Sequence, residues 1–449
     1  MTTRLFLRNR RLATWARPRK ALMRLELLED RTLLTAQAAH PNYIVYHPAD
    51  GTQPYQFPGP VGYTPAQIRK AYGFDQIKLP GNIAGDGTGM TIAIVDAYDD
   101  PNILTDLQQF DRQFGLPDPP SFKVVNQTGG TQLPGVDPFG QWAAEIALDV
   151  EWAHAIAPKA NILLVETNDS LLTNLFAGVT YAASQPGVVA ISMSWGGGEF
   201  SSETSFDNML KTPTGHAGIT FLVASGDFGA PPSYPATSPN VVAVGGTTLF
   251  LNPDNSYKNE IGWGNGAQSS FLGGSGGGVS LYEAQPAYQN GVVTQSTTKR
   301  ANPDVALNAD PNTGYAVYDS FTNGSLTPWE QVGGTSAAAP IWTALVAIAD
   351  QGRALVNLAP YDGLNDLLPA LYKLPAADFH DITAGNNGFP AGPGYDLITG
   401  IGTPIVNKLL ADLVPSAAGP IVVNQTATSP ALPPVSTLQV TFDRPVQVS

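Results

Sequence analysis

GGTSAAAPIWTALVAIAD (333–350) sets one serine, Ser336, between a Gly-Gly pair and a run of small residues that ends at Pro340, and then becomes an apolar helix. Such a serine has bare backbone beside it and the positive end of a helix beneath it. Both suit a nucleophile whose reaction builds negative charge. They suit equally a Ser-capped, glycine-rich turn leading into a buried helix, so the stretch alone leaves both readings open.

Upstream, apolar runs of strand length recur: MTIAIVDA (90–97), ANILLVE (160–166), GVVAISMSW (187–195), GITFLVASG (218–226) and NVVAVGG (240–246). They are continuous rather than alternating, as strands buried on both faces are. Helical patterns lie between most of them, at about 101–114, 141–158, 171–184 and 203–212. This alternation predicts an α/β fold with a central, mostly parallel sheet and helices on both faces. YTPAQIRKAYGF (63–74) reads as a short helix entered through Pro65, with further helices expected near 364–373 and 404–413.

The chain of 449 residues has no cysteine, which excludes disulfides, thiolate metal sites and a cysteine nucleophile. Residues 1–31 carry nine Lys/Arg against three acids, of totals of 23 and 37. The remainder therefore holds 14 basic and 34 acidic residues, a net charge of about −20. Such a body repels nucleic acid and anionic membranes, and no apolar run reaches membrane-spanning length. A charged fraction of only 13%, with 46 Gly and 39 Pro, suits a loop-rich extracellular protein. The sequence divides into a targeting segment (1–38), a Pro-rich linker (39–62), a main domain (63–415) and an incomplete β-sandwich-like segment (420–449).

Two further constellations bear on Ser336. In QWAAEIALDVEWAHAIAP (141–158), Glu145 and Asp149 share one helix face at i and i+4. Ile146, Val150 and Ala153 form the adjoining buried stripe, which places the acids at the edge of the apolar face with Glu151 turned away. Two close carboxyls share protons, and one holds its own to higher pH than usual. In VASGDFG (223–229), Asp227 follows a strand at the carboxyl edge of the sheet, where ligands of open α/β sheets bind. If protonated, it could donate to a developing oxyanion. Each pattern also has an ordinary reading, as a solvated helix edge and an Asx-type turn. None of the five histidines (His40, His47, His154, His216, His380) lies where it could serve as the serine's base. If Ser336 is a nucleophile, its base is a carboxylate.

Taken together, these stretches resemble the sedolisin family of serine-carboxyl peptidases, with a subtilisin-like three-layer fold, from about Tyr63 to Leu413. GGTSAAAP resembles the nucleophile motif, EIALD the paired-acid motif and SGDFG the oxyanion motif. The resemblance implies Ser336 as nucleophile, Glu145 as general base, Asp149 as its partner and Asp227 as oxyanion donor. It implies further that FHDITAGNNG and AGPGYDLITG form one calcium site. Asp381 and Asp396 would supply its carboxylates, and Ile382, Gly392 and Gly394 its carbonyls. All-oxygen ligands of this kind suit Ca²⁺. Gly333 stands where serine is frequent in the family, and some 25 residues separate the export-like segment from the main domain, where the family usually carries a large activation domain. Asp96 and Asp304 are expected to be structural or to support the catalytic acids. LELLEDRTLLTAQA (25–38) resembles the export-associated N-terminal motif of planctomycete extracellular proteins.

The expectation is a secreted, acid-active, monomeric endopeptidase with protein or peptide substrates and one structural Ca²⁺. The rival is a non-catalytic extracellular surface or adhesion protein on a degenerate peptidase scaffold. A histidine-based subtilase is the third reading, disfavoured by the placing of the histidines.

Overall fold

The computed structural model describes residues 37–46, 57–264, 273–415, 422–427 and 438–442. The basic N-terminus and the export-like motif up to residue 36 lie outside them, as does His47.

Two short strands, β1 (His40–Pro41) and β2 (Ile44–Val45), precede α1 (Pro65–Tyr72). Thr64 caps α1 by accepting the Gln67 amide, while the Gln67 side chain returns to the Thr64 amide. Next come β3 (Thr91–Ala97), α2 (Ile103–Phe114), β4 (Phe122–Asn126), α3 (Gln141–Ile156), β5 (Asn161–Thr167), α4 (Leu172–Ala183) and β6 (Val188–Met193). β7 (Trp195–Gly198) follows at once, then β8 (Thr220–Ala224), β9 (Ser233–Tyr234), β10 (Val242–Leu251) and β11 (Tyr257–Gly262). β12 (Gly278–Ala284), β13 (Lys299–Asn302), β14 (Val305–Asn308), β15 (Tyr315–Tyr318), the short α5 (Ser320–Asn323) and β16 (Trp329–Gly333) lead into α6 (Thr335–Leu355).

The central sheet runs β11-β10-β8-β6-β3-β5-β4, with β14 also paired to β10. Every neighbour is parallel except β10 with β11. Period-2 alternation sends Ile92 and Ile94 of β3 into one core and Ala93 and Val95 into the other. The first core holds Trp152 of α3 and Ile341, Leu345 and Ile348 of α6; the second holds Leu175, Phe176 and Val179 of α4. The expected three-layer architecture is therefore present. Beneath β10, the fully buried Arg300 forks onto Asp304 through Nη1–Oδ1 (2.9 Å) and Nη2–Oδ2 (2.7 Å), and Tyr372 also donates to Asp304 Oδ1 (2.7 Å). Asp304 is thus a structural clamp.

Three expectations need correction. The stretch 203–212 holds two 3₁₀ turns, Glu203–Ser205 and Asp207–Met209, instead of a helix. There the Glu203 carboxylate caps the Phe200 amide (2.7 Å), and polar side chains of this kind compete with helical hydrogen bonds. The stretch near 364–373 is a wide turn at Gly363–Leu367 and a short helix, Leu368–Leu371. The described parts of the expected linker, residues 39–46 and 57–62, are paired with the domain: β1 with β7, β2 with β16, and Phe57 bridges Trp329. Of the segment 420–449, the described part is one antiparallel hairpin, Val422–Ala427 with Leu438–Phe442.

Many buried acids here have no basic partner. Burial pushes Asp100 up to about 8, Glu166 to about 9 and Glu330 to about 8. In the unfolded chain these groups lose their protons near pH 4. Between about pH 4 and 8 the folded state therefore holds more protons than the unfolded one, and stability falls as pH rises. The thermal midpoint at about pH 4 is expected to exceed that at pH 8 by ~5 °C or more. Scanning calorimetry showing the reverse order would contradict this account of the core.

Candidate active site

Three parallel strands deliver side chains to one edge of the sheet. β3 brings Asp96 near its end, Ser194 directly follows β6, and Asp227 lies three residues beyond β8. Ser336 is the second residue of α6, which packs against α3 and lies over β6 and β8. All four residues are buried.

Local chemistry explains the start of α6. Its N-cap, Gly334, has φ 109°, a conformation that side-chain-bearing residues rarely adopt. A Cβ there would collide with the Asn42 carbonyl oxygen, Tyr43 Cα and Asp227 Oδ2. At Gly333 it would meet the Ala309 carbonyl and the Pro311 backbone, so this position too has no room for a side chain. Pro340 offers no N–H to the carbonyl of Ser336, four residues earlier. That carbonyl instead faces the Ser194 hydroxyl, 3.5 Å away.

The acidic helix differs from its expected form. Every residue of α3 from Trp142 to Ile156 is buried, so Glu145 and Asp149 lie wholly inside and not at an edge. Glu151 is buried as well, its carboxylate accepting the Tyr318 amide (3.0 Å). The apolar period showed only one stripe, whereas α6, α2 and the sheet cover the helix on several sides.

The proton affinity of the acid pair follows from this enclosure. Burial, then the charges of Asp149 and Asp96, hold Glu145 well above the usual carboxylate range, while the nearby Ser336 hydroxyl pulls the other way. Burial and the Asp96 charge likewise raise Asp149, against a hydrogen bond from the Ser194 hydroxyl to Asp149 Oδ1 (2.8 Å). Asp96 is pushed up to about 8 by burial alone, and neither of its oxygens has a hydrogen-bond partner among the described residues. Asp96 thus lies close enough to raise the proton affinity of both Glu145 and Asp149.

Ser336 Oγ donates to the Ser194 carbonyl (3.0 Å), and both Glu145 oxygens are without a donor at bonding geometry. A rotation about the serine Cα–Cβ bond would redirect the hydroxyl. Catalytic hydrogen bonds are often long before substrate binds. On the other side, Asp227 Oδ1 accepts both the amide (2.7 Å) and the hydroxyl (2.8 Å) of Thr335. Oδ2 has no partner, and burial lifts the carboxyl to about 7 despite the Thr335 bonds. Its proton belongs on Oδ2, beside Gly334, where it can be donated.

The structure therefore brings together Ser336, Glu145, Asp149 and Asp227. Sequence reasoning gave no role to Ser194 or Thr335. Ser194 links Asp149 to both the hydroxyl and the carbonyl of Ser336, and Thr335 orients Asp227 while receiving the Gly226 amide (3.0 Å). Their only sequence signal was position, Thr335 within GGTSAAAP and Ser194 within the strand run GVVAISMSW. None of the described histidines bonds Ser336. His154 Nε2 meets the Pro117 carbonyl (2.8 Å) and Asp111 (3.2 Å), His216 contacts the Gln185 carbonyl, and His380 stacks on Tyr257.

The late loop folds back on itself. The Gly394 amide donates to both oxygens of Asp381 (3.1 and 3.2 Å), and the Gly392 amide to Asp396 Oδ2 (3.0 Å). The carbonyls of Ile382, Gly392 and Gly394 accept no hydrogen bond from any described residue. Two carboxylates and three free carbonyls, with no nitrogen or sulfur ligand, fit a hard cation such as Ca²⁺.

Comparison with known proteins agrees with this geometry. Residues 131–368 match the subtilase family. Kumamolisin from Bacillus sp. (strain MN-32) is 34% identical over 417 residues, covering 86% of this chain and 70% of kumamolisin. Sedolisin from Pseudomonas sp. (strain 101) is 30% identical over 72% of this chain, which spans 57% of that protein. Among solved structures, Pseudomonas sedolisin, a serine-carboxyl proteinase complexed with two molecules of pseudo-iodotyrostatin, superposes with a TM-score of 0.66 at 30% identity, covering 78% of this chain and 98% of the other. On this likeness in sequence and fold, the chain belongs to the sedolisin family of subtilisin-like serine-carboxyl peptidases.

Proposed function

We propose that this protein is an exported endopeptidase that works at acid pH on protein or peptide substrates. The observation that carries the reading is the convergence of one serine and three carboxyls in a buried centre to which no described histidine is bonded. Ser336 Oγ attacks the peptide carbonyl carbon as Glu145 takes its proton. The tetrahedral intermediate collapses, Glu145 returns the proton to the leaving amine, and an acyl ester remains on Ser336. Water then hydrolyses the ester by the same route. Asp149 and Glu145 share protons so that the pair carries about one negative charge, and Ser194 holds Asp149 in place. Asp227 Oδ2–H and the Ser336 amide hold the oxyanion.

The pH range follows from these roles. Asp227 must keep its proton, and its carboxyl titrates at about 7. Above that, an ionised Asp227 would repel the oxyanion, so activity should fall. At lower pH, activity lasts until the Glu145–Asp149 pair takes up a second proton. The acidic body and the basic, export-like N-terminus support an extracellular setting. Calcium bound at Asp381, Ile382, Gly392, Gly394 and Asp396 would tie the late loop in a chain without disulfides.

Denatured casein incubated with the protein across pH 3 to 8 tests the reading. Cleavage should be greatest below pH 7, and Ser336→Ala should lower kcat by about 10⁴-fold or more. Absence of cleavage at every pH, or equal cleavage by the variant, would reject the enzyme in favour of a non-catalytic surface protein. Asp227→Ala should cost about 10²–10³-fold in kcat with little change in KM. An unchanged kcat would remove Asp227 from the oxyanion site. Chelation should lower the thermal midpoint and added Ca²⁺ restore it, the ion adding ~3 kcal/mol of stability at 100 times its dissociation constant. A midpoint indifferent to chelator speaks against the calcium site.

A further inference from the structure

Residues 37–46 run through the catalytic centre as an extended segment and mark its register. β1 pairs antiparallel with β7, His40 opposite Gly196 and Pro41 opposite Trp195. Two residues beyond His40, and so on the same side, the Asn42 amide donates to the Ser194 carbonyl (3.1 Å). Pro41, which has no N–H, falls on the side facing away from β7. The Asn42 carbonyl accepts the Ser336 amide (2.9 Å), and β2 then pairs with β16, Ile44 opposite Gly333 and Val45 opposite Val332. A substrate bound in this register places the carbonyl of its cut bond where that of Asn42 lies. The side chain of its next residue, on the leaving amine, takes the place of Tyr43.

Strand pairing fixes where that side chain goes. Val45 and Val332 lie opposite each other on one face, and Tyr43 and Glu330, each two residues away, share it. Ile44 turns to the other face, where it and Trp263 flank Gly273. Tyr43 packs against the first core. Burial, then the charges of Glu330, Glu145, Asp319 and Asp137, raise the proton affinity of its phenol. These acids come from β16, α3, the start of α5 and the turn before α3, and Thr322 Oγ1 joins α5 to that turn by donating to the Gly140 carbonyl (3.2 Å). Asp137 is fully engaged as the cap of α3, accepting the Phe139 (3.0 Å), Gln141 (2.8 Å) and Trp142 (3.3 Å) amides. Glu330 and Asp319 are not. Asp319 Oδ1 accepts the Thr322 amide (2.8 Å) and Glu330 bonds the Asn323 side chain, but Asp319 Oδ2 and Glu330 Oε1 have no partner among the described residues. Their exposures are 0% and 3%. On its other sides the charge of Asp319 bears on Asp100, Asp106 and Glu151, all acids. None of these carboxyls forms an ion pair with a described Lys or Arg.

We propose that this pocket selects a basic residue, Lys or Arg, directly after the cut bond, and that Glu330 and Asp319 set the preference. This rests on the peptidase reading above. Buried acceptors left without donors, and carboxyls left without a cation, are costly unless a ligand completes them. A phenol brings at most one donor, whereas an ammonium brings three and a guanidinium five, the latter in a fork that matches a carboxylate. A tyrosine-sized space suits the length of either basic side chain. The pocket also has a pH signature. Burial, then the Asp319 charge, lifts Glu330 to about 8, and burial raises Asp319, so both hold protons at acid pH while no cation is bound. An entering cation favours their ionised forms and drives those protons off. Higher pH makes that release easier, so the advantage of a basic residue over an uncharged one grows as pH rises.

Digestion of a mixed peptide library at about pH 4 and about pH 6, with cut sites read by mass spectrometry, tests the proposal. Lys and Arg should be the most frequent residues after the cut. In matched peptides that differ only there, kcat/KM for Lys over norleucine, an uncharged side chain of similar length, should be about tenfold or more at pH 6. The ratio should be about threefold or more lower at pH 4, and the effect of Asp227, common to both peptides, cancels in it. Glu330→Gln should lower the pH 6 ratio about tenfold and flatten its pH dependence, with Asp319→Asn acting in the same direction. A purely structural loss would slow both peptides alike and leave the ratio unmoved, and that outcome overturns the assignment to these two acids. The wild-type ratio needs no variant. A wild-type protein that cuts peptides with a ratio near one, or with a ratio indifferent to pH, overturns the basic pocket and leaves the peptidase reading standing. A protein that cuts no peptide at any pH overturns both.

Discussion

Glu145 and Asp149 stand one helical turn apart, sealed from water, and neither forms an ion pair with a described residue. Two carboxylates so placed cannot both be charged at tolerable cost, so the pair must hold protons well above the usual range. Much of the centre follows from that constraint. A shared proton leaves the pair able to take up or release one near neutral pH or below. Asp96 raises both neighbours further without touching solvent. The Ser194 hydroxyl donates to Asp149 and its carbonyl accepts the Ser336 hydroxyl, which ties the acid pair to α6.

The enclosure that makes this chemistry possible is supplied by packing. α3 is covered by α6 and α2 and rests on the sheet, and for that reason it has no polar face. An apolar, all-buried helix can carry three acids only if they are protonated, hydrogen-bonded or functional. Glu151 accepts the Tyr318 amide, Asp149 accepts the Ser194 hydroxyl, and Glu145 lies beside Ser336. The same logic extends beyond the site. Asp100, Glu166 and Glu330 are buried acids with no cationic partner among the described residues, and burial raises their proton affinity as it does that of Glu145 and Asp149.

The N-terminal segment adds a second theme. A cleft that binds extended backbone will bind the chain's own backbone when a strand of the right length lies next to it. Residues 37–46 meet that condition on both sides of Ser336, through β7 and through β16. The Pro-rich character that suggested a linker is compatible with this, because Pro41 falls where no amide is needed.

Sequence alone determined the alternation of buried strands and helices, the carboxyl-edge position of Asp227, the serine at a helix mouth and the unsuitability of the histidines. These are local patterns of period, turn chemistry and composition, and tertiary packing did not alter them. The family resemblance turned them into named roles. Only the tertiary structure decided how deeply the acids are buried, because period shows one stripe of a helix and not what covers its other sides. It alone placed Ser194 and Thr335, whose hydrogen bonds join residues over a hundred positions apart. It also showed that residues 203–212 form 3₁₀ turns, where capping side chains outcompete a helical period, and that Asn42 lies on the Ser336 amide. That last contact spans almost three hundred residues and depends on strand pairing, which leaves no mark in the local sequence.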